Sequence, residues 1–211
     1  MTRHRPVALA LVAVLLAACA GGGAGTSPGA ATPAGGTTVP ASGPLTATIE
    51  TPQGSIVIAL KPETAPIATA NFVTLAESGY YDGVVFHRLV PGFVIQGGDG
   101  QYGKADAYDA QRVGGGGPGY TIKDEPVVGD YVRGAVAMAR TPEPDSQGSQ
   151  FFICLDDLTG RLDKAGGYVI FGQVVSGMEV VDAIAAMPNG GGQANQALDP
   201  VPMTKVTITR P

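Results

Sequence analysis

Residues 86–99, FHRLVPGFVIQGGD, place polar side chains inside a strongly strand-forming stretch. Two runs of β-branched and aromatic residues flank a Pro-Gly turn, and Arg88 and Gln96 occupy positions that strand alternation would otherwise give to a sheet wall. A guanidinium stays charged at any working pH and presents a rigid fork of N–H donors, so Arg88 could hold and polarise a polar group. By spacing alone, however, an arginine in a strand is more often a solvated edge residue.

Other catalytic chemistries find little support in the sequence. Once the leader described below is set aside, His87 is the only histidine, which leaves neither a histidine-rich metal site nor a Ser-His-Asp triad. The glycines at 114–117, with Pro118 and Gly119, invite comparison with a phosphate-binding loop, but no Lys-Ser/Thr pair and no helix start follow them. We therefore predict a surface loop there, and neither a metal nor a cofactor.

The N-terminus predicts export. Arg3 and Arg5 precede an apolar run at 7–18, which has the length of a signal-peptide core and falls short of the roughly 20 residues that span a bilayer. The run ends in Leu-Ala-Ala-Cys, which resembles the lipobox of bacterial lipoproteins and predicts a lipid anchor on Cys19. The alternative is an ordinary Ala-X-Ala cleavage site at 18–20, which would release a soluble exported protein.

The chain is predicted to divide into a signal peptide (1–18), a tether (19–44) and one domain (45–211). After Cys19 the tether is almost wholly Gly, Ala, Thr, Ser and Pro, which is typical of a flexible linker. The full chain carries 18 acidic and 13 basic residues, a net charge of −5, which argues against nucleic acid and anionic lipid as partners. The two cysteines give no disulfide framework, and nothing in the sequence requires more than a monomer.

The domain is predicted to be mainly β. Alternation and turn signals predict strands at 45–50, 55–60, 84–89, 93–97, 134–139, 150–154, 168–174 and 203–209. Eight short antiparallel strands suggest a closed β-barrel. Two α-helices, at 66–78 and from a capping box at 176–179 to Pro188, would cover its ends. Alternation should also send Phe151 and Phe152 to opposite faces of their strand.

Several segments together resemble one protein family. Residues 86–99 resemble the signature segment of the cyclophilins, which are peptidyl-prolyl cis-trans isomerases, and 148–153 (GSQFFI) resemble the family's second hallmark. Residues 136–140 (VAMAR) resemble the strand that precedes this hallmark. The first hairpin, both helices and the segment FGQV at 171–174 fall in the family's order, so the resemblance covers nearly all of 45–210.

The resemblance implies an isomerase of X-Pro bonds that acts on unfolded or exported polypeptides without a cofactor. An amide is held planar by a barrier of about 18–20 kcal/mol, and uncatalysed X-Pro exchange takes tens of seconds or longer. In the twisted transition state the proline nitrogen regains its lone pair, so a donor aimed at that nitrogen stabilises the transition state more than the planar ground state. By the resemblance, Arg88 is that donor.

The resemblance also implies the other site residues. Phe93 and Gln96 join Arg88 as catalytic residues, with Gln96 contacting the substrate backbone. The predicted substrate-binding residues, which include the walls of a proline pocket and one side of a peptide groove, are His87, Met138, Ala139, Arg140, Gln150, Phe152, Leu162 and Tyr168.

Two positions depart from the family pattern. Arg161 stands before Leu162 where the family often has an aromatic residue that contacts cyclosporin, and Tyr168 replaces a common histidine. Sensitivity to cyclosporin therefore stays open, as do the client proteins, the preferred residue before proline and the membrane that receives the anchor. The alternative function is a cyclophilin-fold module or chaperone that binds proline-containing segments without turnover.

Overall fold

A computed structural model describes residues 45–163, 167–192 and 194–210. The predicted signal peptide, Cys19 and the tether lie outside these residues. The described strands are β1 (Thr46–Thr51), β2 (Gly54–Leu60), β3 (Val85–Val90), β4 (Val94–Gly97), β5 (Ala135–Met138), β6 (Phe151–Cys154), β7 (Ile170–Ser176), β8 (Gln196–Pro202) and β9 (Lys205–Thr209). The α-helices are α1 (Pro66–Glu77), α2 (Thr159–Leu162) and α3 (Met178–Ala185).

The strands form one curled antiparallel sheet in the order β8-β3-β4-β6-β5-β7-β2-β1-β9. The mainly β prediction is confirmed, but the closed, eight-stranded barrel is not. Within the described residues β8 and β9 pair with β3 and β1 and not with each other, so the sheet is a nine-stranded half-barrel with two ends. The missed strand, β8, carries two prolines, which a sheet tolerates mainly in edge strands.

The helix predictions need two corrections. Helix α1 matches its predicted range, and α2 is an additional short helix. The predicted capping box of α3 does not form, because Ser176 is the last residue of β7 and the N-cap is Gly177 at φ 87°. A Cβ at Gly177 would collide with the carbonyl oxygen of Ser55, so this junction requires glycine. No helix in the described part of the chain is long and apolar enough to cross a membrane.

Phe151 and Phe152 lie on opposite faces of the sheet, as alternation predicted. Phe151 is buried in the inner core, where its ring meets four others edge-on with centroids 5.6–6.3 Å away, those of Phe72, Tyr81, Phe86 and Phe171. Phe152 belongs to a second apolar cluster and meets the Tyr168 ring edge-on at 5.3 Å. Strand β6 therefore contributes to the core with one face and to an outer apolar surface with the other.

The N-terminus of α1 is capped by a residue from a distant loop. Helix α1 begins with Pro66, receives no side-chain cap from Ala65 and has no acidic residue in its first turn. The Glu125 carboxylate accepts hydrogen bonds from the backbone N–H groups of Ile67 at 2.9 Å and Ala68 at 2.8 Å. A negative charge at this helix end satisfies free donors and complements the helix dipole. Glu125 therefore fastens the loop to a helix that packs on β7 and β9.

We expect Glu125→Ala to lower the free energy of unfolding by about 1 kcal/mol, which is the usual cost of losing an N-terminal cap. For a domain of this size the loss corresponds to a fall of about 2–4 °C in Tm, measurable by calorimetry. The exposed Glu63 gives a matched control, because Glu63→Ala removes the same charge close to the helix without removing the cap. Equal effects of the two substitutions would show that the cap contributes nothing beyond its charge.

Candidate active site

A β-bulge in β3 decides where Arg88 points. Phe86 and Leu89 are three residues apart, yet both side chains lie in the inner core. The pairing of β3 with both of its neighbours shifts register between Phe86 and Arg88, so His87 is the extra residue. After the bulge, Arg88 lies on the outer face, beside Phe152. Bulges commonly re-aim a side chain next to a functional site, and this one explains why the simple alternation failed at Arg88.

A chain of hydrogen bonds holds the polar side chains in place. Arg88 lies opposite Gln96 in the β3–β4 register, and its Nη1 donates to Gln96 Oε1 at 3.3 Å. Gln96 Nε2 in turn donates to Gln150 Oε1 at 3.0 Å. Gln150 Nε2 donates to the carbonyl oxygens of Gly114 and Gly116, at 3.0 and 2.8 Å. Each amide has its donor and acceptor ends fixed by the next member, which orients Gln96 toward the guanidinium.

Arg88 projects into a small cavity of 120 Å³, called here the Arg88 cavity. Its lining brings together most of the predicted site residues and adds Val94: Arg88, Phe93, Val94, Gln96, Ala139, Arg140, Phe152, Leu162 and Tyr168. Partial burial lowers the pKa of the Arg88 guanidinium, although an arginine keeps its proton in proteins. The cavity thus combines apolar walls with the guanidinium donors of Arg88 and Arg140.

Three predicted residues lie elsewhere. Met138 is fully buried in the inner core with Val136, because the two share one face of β5; contrary to its predicted place in the pocket, it does not line the Arg88 cavity, whereas Val94 does. Gln150 lines a larger groove of 560 Å³ beside the Arg88 cavity. His87 lines a third cavity, of 300 Å³, together with Arg88.

His87 is buried and neutral. The residue is only 4% exposed, and neither nitrogen of its imidazole ring has a hydrogen-bond partner among the described residues. Burial lowers the pKa of His87 to about 4; the charge of Asp99 opposes this shift, and the charge of Arg88 adds to it. The imidazole is therefore uncharged near neutral pH, so Arg88 carries the positive charge at this point of the site.

Asp99 helps to position the residues of the site, although no sequence pattern singled it out. It is fully buried, and its Oδ1 accepts hydrogen bonds from the backbone N–H groups of Gln101 and Tyr102, at 3.0 and 2.9 Å. Its Oδ2 accepts from the N–H groups of Gly114 and Gly116, at 2.8 and 2.9 Å. One carboxylate therefore clamps the glycine loop whose carbonyl groups hold Gln150. The sequence signal was its place at the end of 86–99, directly after two glycines.

The glycine loop at 114–119 forms one wall of the 560 Å³ groove. A Cβ at Gly116 would collide with the Asp99 carboxylate, so its close approach requires glycine.

Within the described residues, no three or more His, Cys, Asp or Glu side chains are grouped so that they could hold a metal ion.

Comparison with known proteins points to one family. The family profile described as "Cyclophilin type peptidyl-prolyl cis-trans isomerase/CLD" matches residues 46–210. A "Probable peptidyl-prolyl cis-trans isomerase" of Brucella suis biovar 1 is 41% identical over 165 residues, covering 74% of this chain and 78% of that protein. The "Peptidyl-prolyl cis-trans isomerase A" of Dickeya dadantii is 37% identical over 168 residues, covering 77% and 83%.

A solved structure agrees with these relatives. A Cryptosporidium parvum cyclophilin type peptidyl-prolyl cis-trans isomerase, crystallised in the presence of the dipeptide Ala-Pro, aligns with a TM-score of 0.66 and 30% identity. The alignment covers 79% of this chain and 99% of that one. The chain therefore belongs to the cyclophilin-type peptidyl-prolyl cis-trans isomerases, as the resemblance of its motifs predicted, and it is an enzyme.

The burial of His87 should make the protein less stable in mild acid. An unfolded imidazole titrates near pH 6.5, whereas the folded one titrates at about 4, so between these values the unfolded chain binds a proton that the native chain excludes. This contribution to stability is fully present above pH 6.5 and is lost as the pH falls toward 4. We expect the Tm followed by circular dichroism to drop over this range, and to drop less in His87→Gln. Parallel curves for the two proteins would contradict this assignment.

Proposed function

We propose that Arg88 accelerates X-Pro isomerisation by stabilising the twisted amide, with the proline ring held in the Arg88 cavity. The observation that carries the proposal is the charge that Arg88 brings into this cavity. Among the described residues its guanidinium has no carboxylate partner, and its one side-chain hydrogen bond goes to the neutral amide of Gln96 at 3.3 Å. Its positive charge is therefore not neutralised by the protein and is available to a substrate.

The walls of the cavity suit a proline ring. Phe93, Phe152 and Leu162 supply apolar surface, and Phe152 is supported from the side by the ring of Tyr168. A prolyl ring has no N–H group, so it gains from apolar contact and requires no donor or acceptor in the pocket. The solved relative crystallised with Ala-Pro supports proline-containing peptides as the substrate class.

The lowering of the rotation barrier that Arg88 must provide is modest. Rotation about the bond breaks no covalent link, so the site needs no nucleophile, and lowering the barrier by about 4 kcal/mol already gives roughly a thousandfold acceleration. One hydrogen-bond donor aimed at the transition state in a preorganised site contributes about 10²–10³-fold to the rate, which is close to this acceleration. Arginine suits the task better than lysine, because its fork can bind the prolyl carbonyl and approach the nitrogen at the same time.

We expect Arg88→Ala to lose about 10²-fold or more of kcat/KM on an Ala-Pro peptide, and Arg88→Lys to recover only a small part of it. Two-dimensional exchange NMR measures this directly, as cross-peaks between the cis and trans forms of the peptide. Arg210→Ala is the matched control, because it removes a surface arginine that pairs with Glu77 on α1. Exchange that persists in Arg88→Ala, with the fold intact by circular dichroism, would refute the role of Arg88.

We further propose that the enzyme acts on exported polypeptides from a lipid anchor on Cys19. The support is the leader at 1–18, the Leu-Ala-Ala-Cys sequence and the uncharged tether that would hold the domain away from the membrane. The only other cysteine, Cys154, is fully buried, and burial raises its pKa to about 12, so its thiol stays protonated and inert.

The two cysteines allow the proposed lipid anchor to be tested, with Cys154 as the control for Cys19. In a bacterial host fed an alkyne-tagged fatty acid, we expect the full-length chain to be labelled and found in the membrane fraction. Cys154→Ala should stay labelled, and Cys19→Ala should lose both the label and the membrane association. A processed, unlabelled wild-type protein in the soluble exported fraction would instead support cleavage at the Ala-X-Ala site.

A further inference from the structure

The rim of the Arg88 cavity is positively charged, although the chain is acidic overall. Arg88 and Arg140 line the cavity, and none of the described residues that line it is an Asp or Glu. Arg161, in the last turn of α2, lies over Phe93 with its Cζ 4.4 Å from the ring centroid. The whole chain has a net charge of −5. Arg88 in the lining and Arg161 at the edge therefore bring positive charge to one small cavity, against the sign of the net charge of the chain.

Arg161 differs from the other exposed arginines in its surroundings. Arg112, Arg133 and Arg210 each form an ion pair with a carboxylate. In the described ranges, the guanidinium of Arg161 has neither an ion pair nor a hydrogen bond. Asp163 is the acidic residue closest to it in sequence, but side chains two positions apart on a helix do not face each other. The charge of Arg161 is thus left for a ligand.

Phe93 fixes this charge at the edge of the cavity. A guanidinium stacks favourably on an aromatic face, and the contact limits the positions that the long arginine side chain samples. Because Phe93 is also a wall of the Arg88 cavity, a ligand in the cavity and the stacked guanidinium touch the same ring. A carboxylate arriving there can accept two parallel hydrogen bonds from a group that is already ordered.

We propose that Arg161 selects, among proline-containing segments, those with an Asp or Glu directly before or directly after the proline. The inference rests on the proposed binding of the proline ring in the Arg88 cavity. Consecutive Cα atoms are 3.8 Å apart, so the residues flanking a bound proline lie close enough for a carboxylate to reach a guanidinium stacked on the cavity wall. Arg88 adds to the attraction, and Arg161 is the contributor that lies outside the cavity lining.

The test compares matched peptides that differ only in charge. Pairs with Glu or Gln, placed either one residue before or one residue after the proline of an Ala-Pro-Ala core, are assayed with the full chain by exchange NMR. We expect a Glu/Gln ratio of kcat/KM of about three to ten in at least one of the two positions at low ionic strength. Raising NaCl to about 0.5 M should bring the ratio toward one, because exposed charges are screened.

Substitutions assign this ratio to Arg161. R161Q should lower the Glu/Gln ratio by at least half, R161K should keep part of it, and R161E should lower it below the value for R161Q. R210Q is the matched control, since it makes the same change in net charge at a residue that follows β9 and pairs with Glu77 of α1, and it should keep the wild-type ratio. Because the readout is a ratio, a general loss of activity in a variant does not mimic the effect.

Two results would overturn the inference: a wild-type ratio near one in both positions, or a ratio that R161Q and R210Q change equally. Absence of any turnover of the neutral Gln peptides by the wild-type protein would instead contradict the proposed function. The two failures are therefore distinguishable within one set of measurements.

Discussion

The site depends on one extra residue in β3. Strict alternation from Phe86 would place Arg88 on the inner face of the sheet, among the aromatic rings of the core. A guanidinium there would be buried without a partner, which is far more costly than a local break in a ladder. The bulge at His87 removes this conflict: Phe86 and Leu89 fill the core, and Arg88 emerges on the outer face.

The bulge also leaves His87 buried beside the cation Arg88. The imidazole avoids a second buried positive charge by staying neutral, and its low pKa follows mainly from burial. On the same side of the site, Asp99 has its charge satisfied by four backbone N–H groups, which close the glycine loop against the groove. Thus the imidazole beside Arg88 stays neutral, and the Asp99 carboxylate that faces this imidazole has its hydrogen bonds satisfied by the backbone.

Sequence reasoning succeeded where a single short-range pattern decides the structure. Period-two alternation located most strands and separated Phe151 from Phe152. It failed where tertiary context overrides the pattern: β8 holds its prolines because it is an edge strand, and the capping-box motif at Ser176 is overridden by strand pairing in β7. The likeness of its motif suggested a pocket residue at Met138, but alternation along β5 puts it on the same face as Val136, in the core. Asp99 was missed because its partners are backbone groups, which no side-chain pattern reveals.

The chemistry of this family explains why Arg161, at the rim of the Arg88 cavity, can change separately from Arg88 inside it. Isomerisation forms and breaks no covalent bond, so under the proposed mechanism the reaction needs one well-placed donor, Arg88 on β3, and apolar walls, of which Phe152 lies on β6 and Leu162 on α2. Arg161 comes from the short helix α2 and lies over the ring of Phe93, which is a wall of the cavity. A change of residue there alters the field at the entrance without moving Arg88, which is anchored by its own strand and by Gln96. The proposed selectivity for the segments around proline can therefore change while the position of Arg88 is kept.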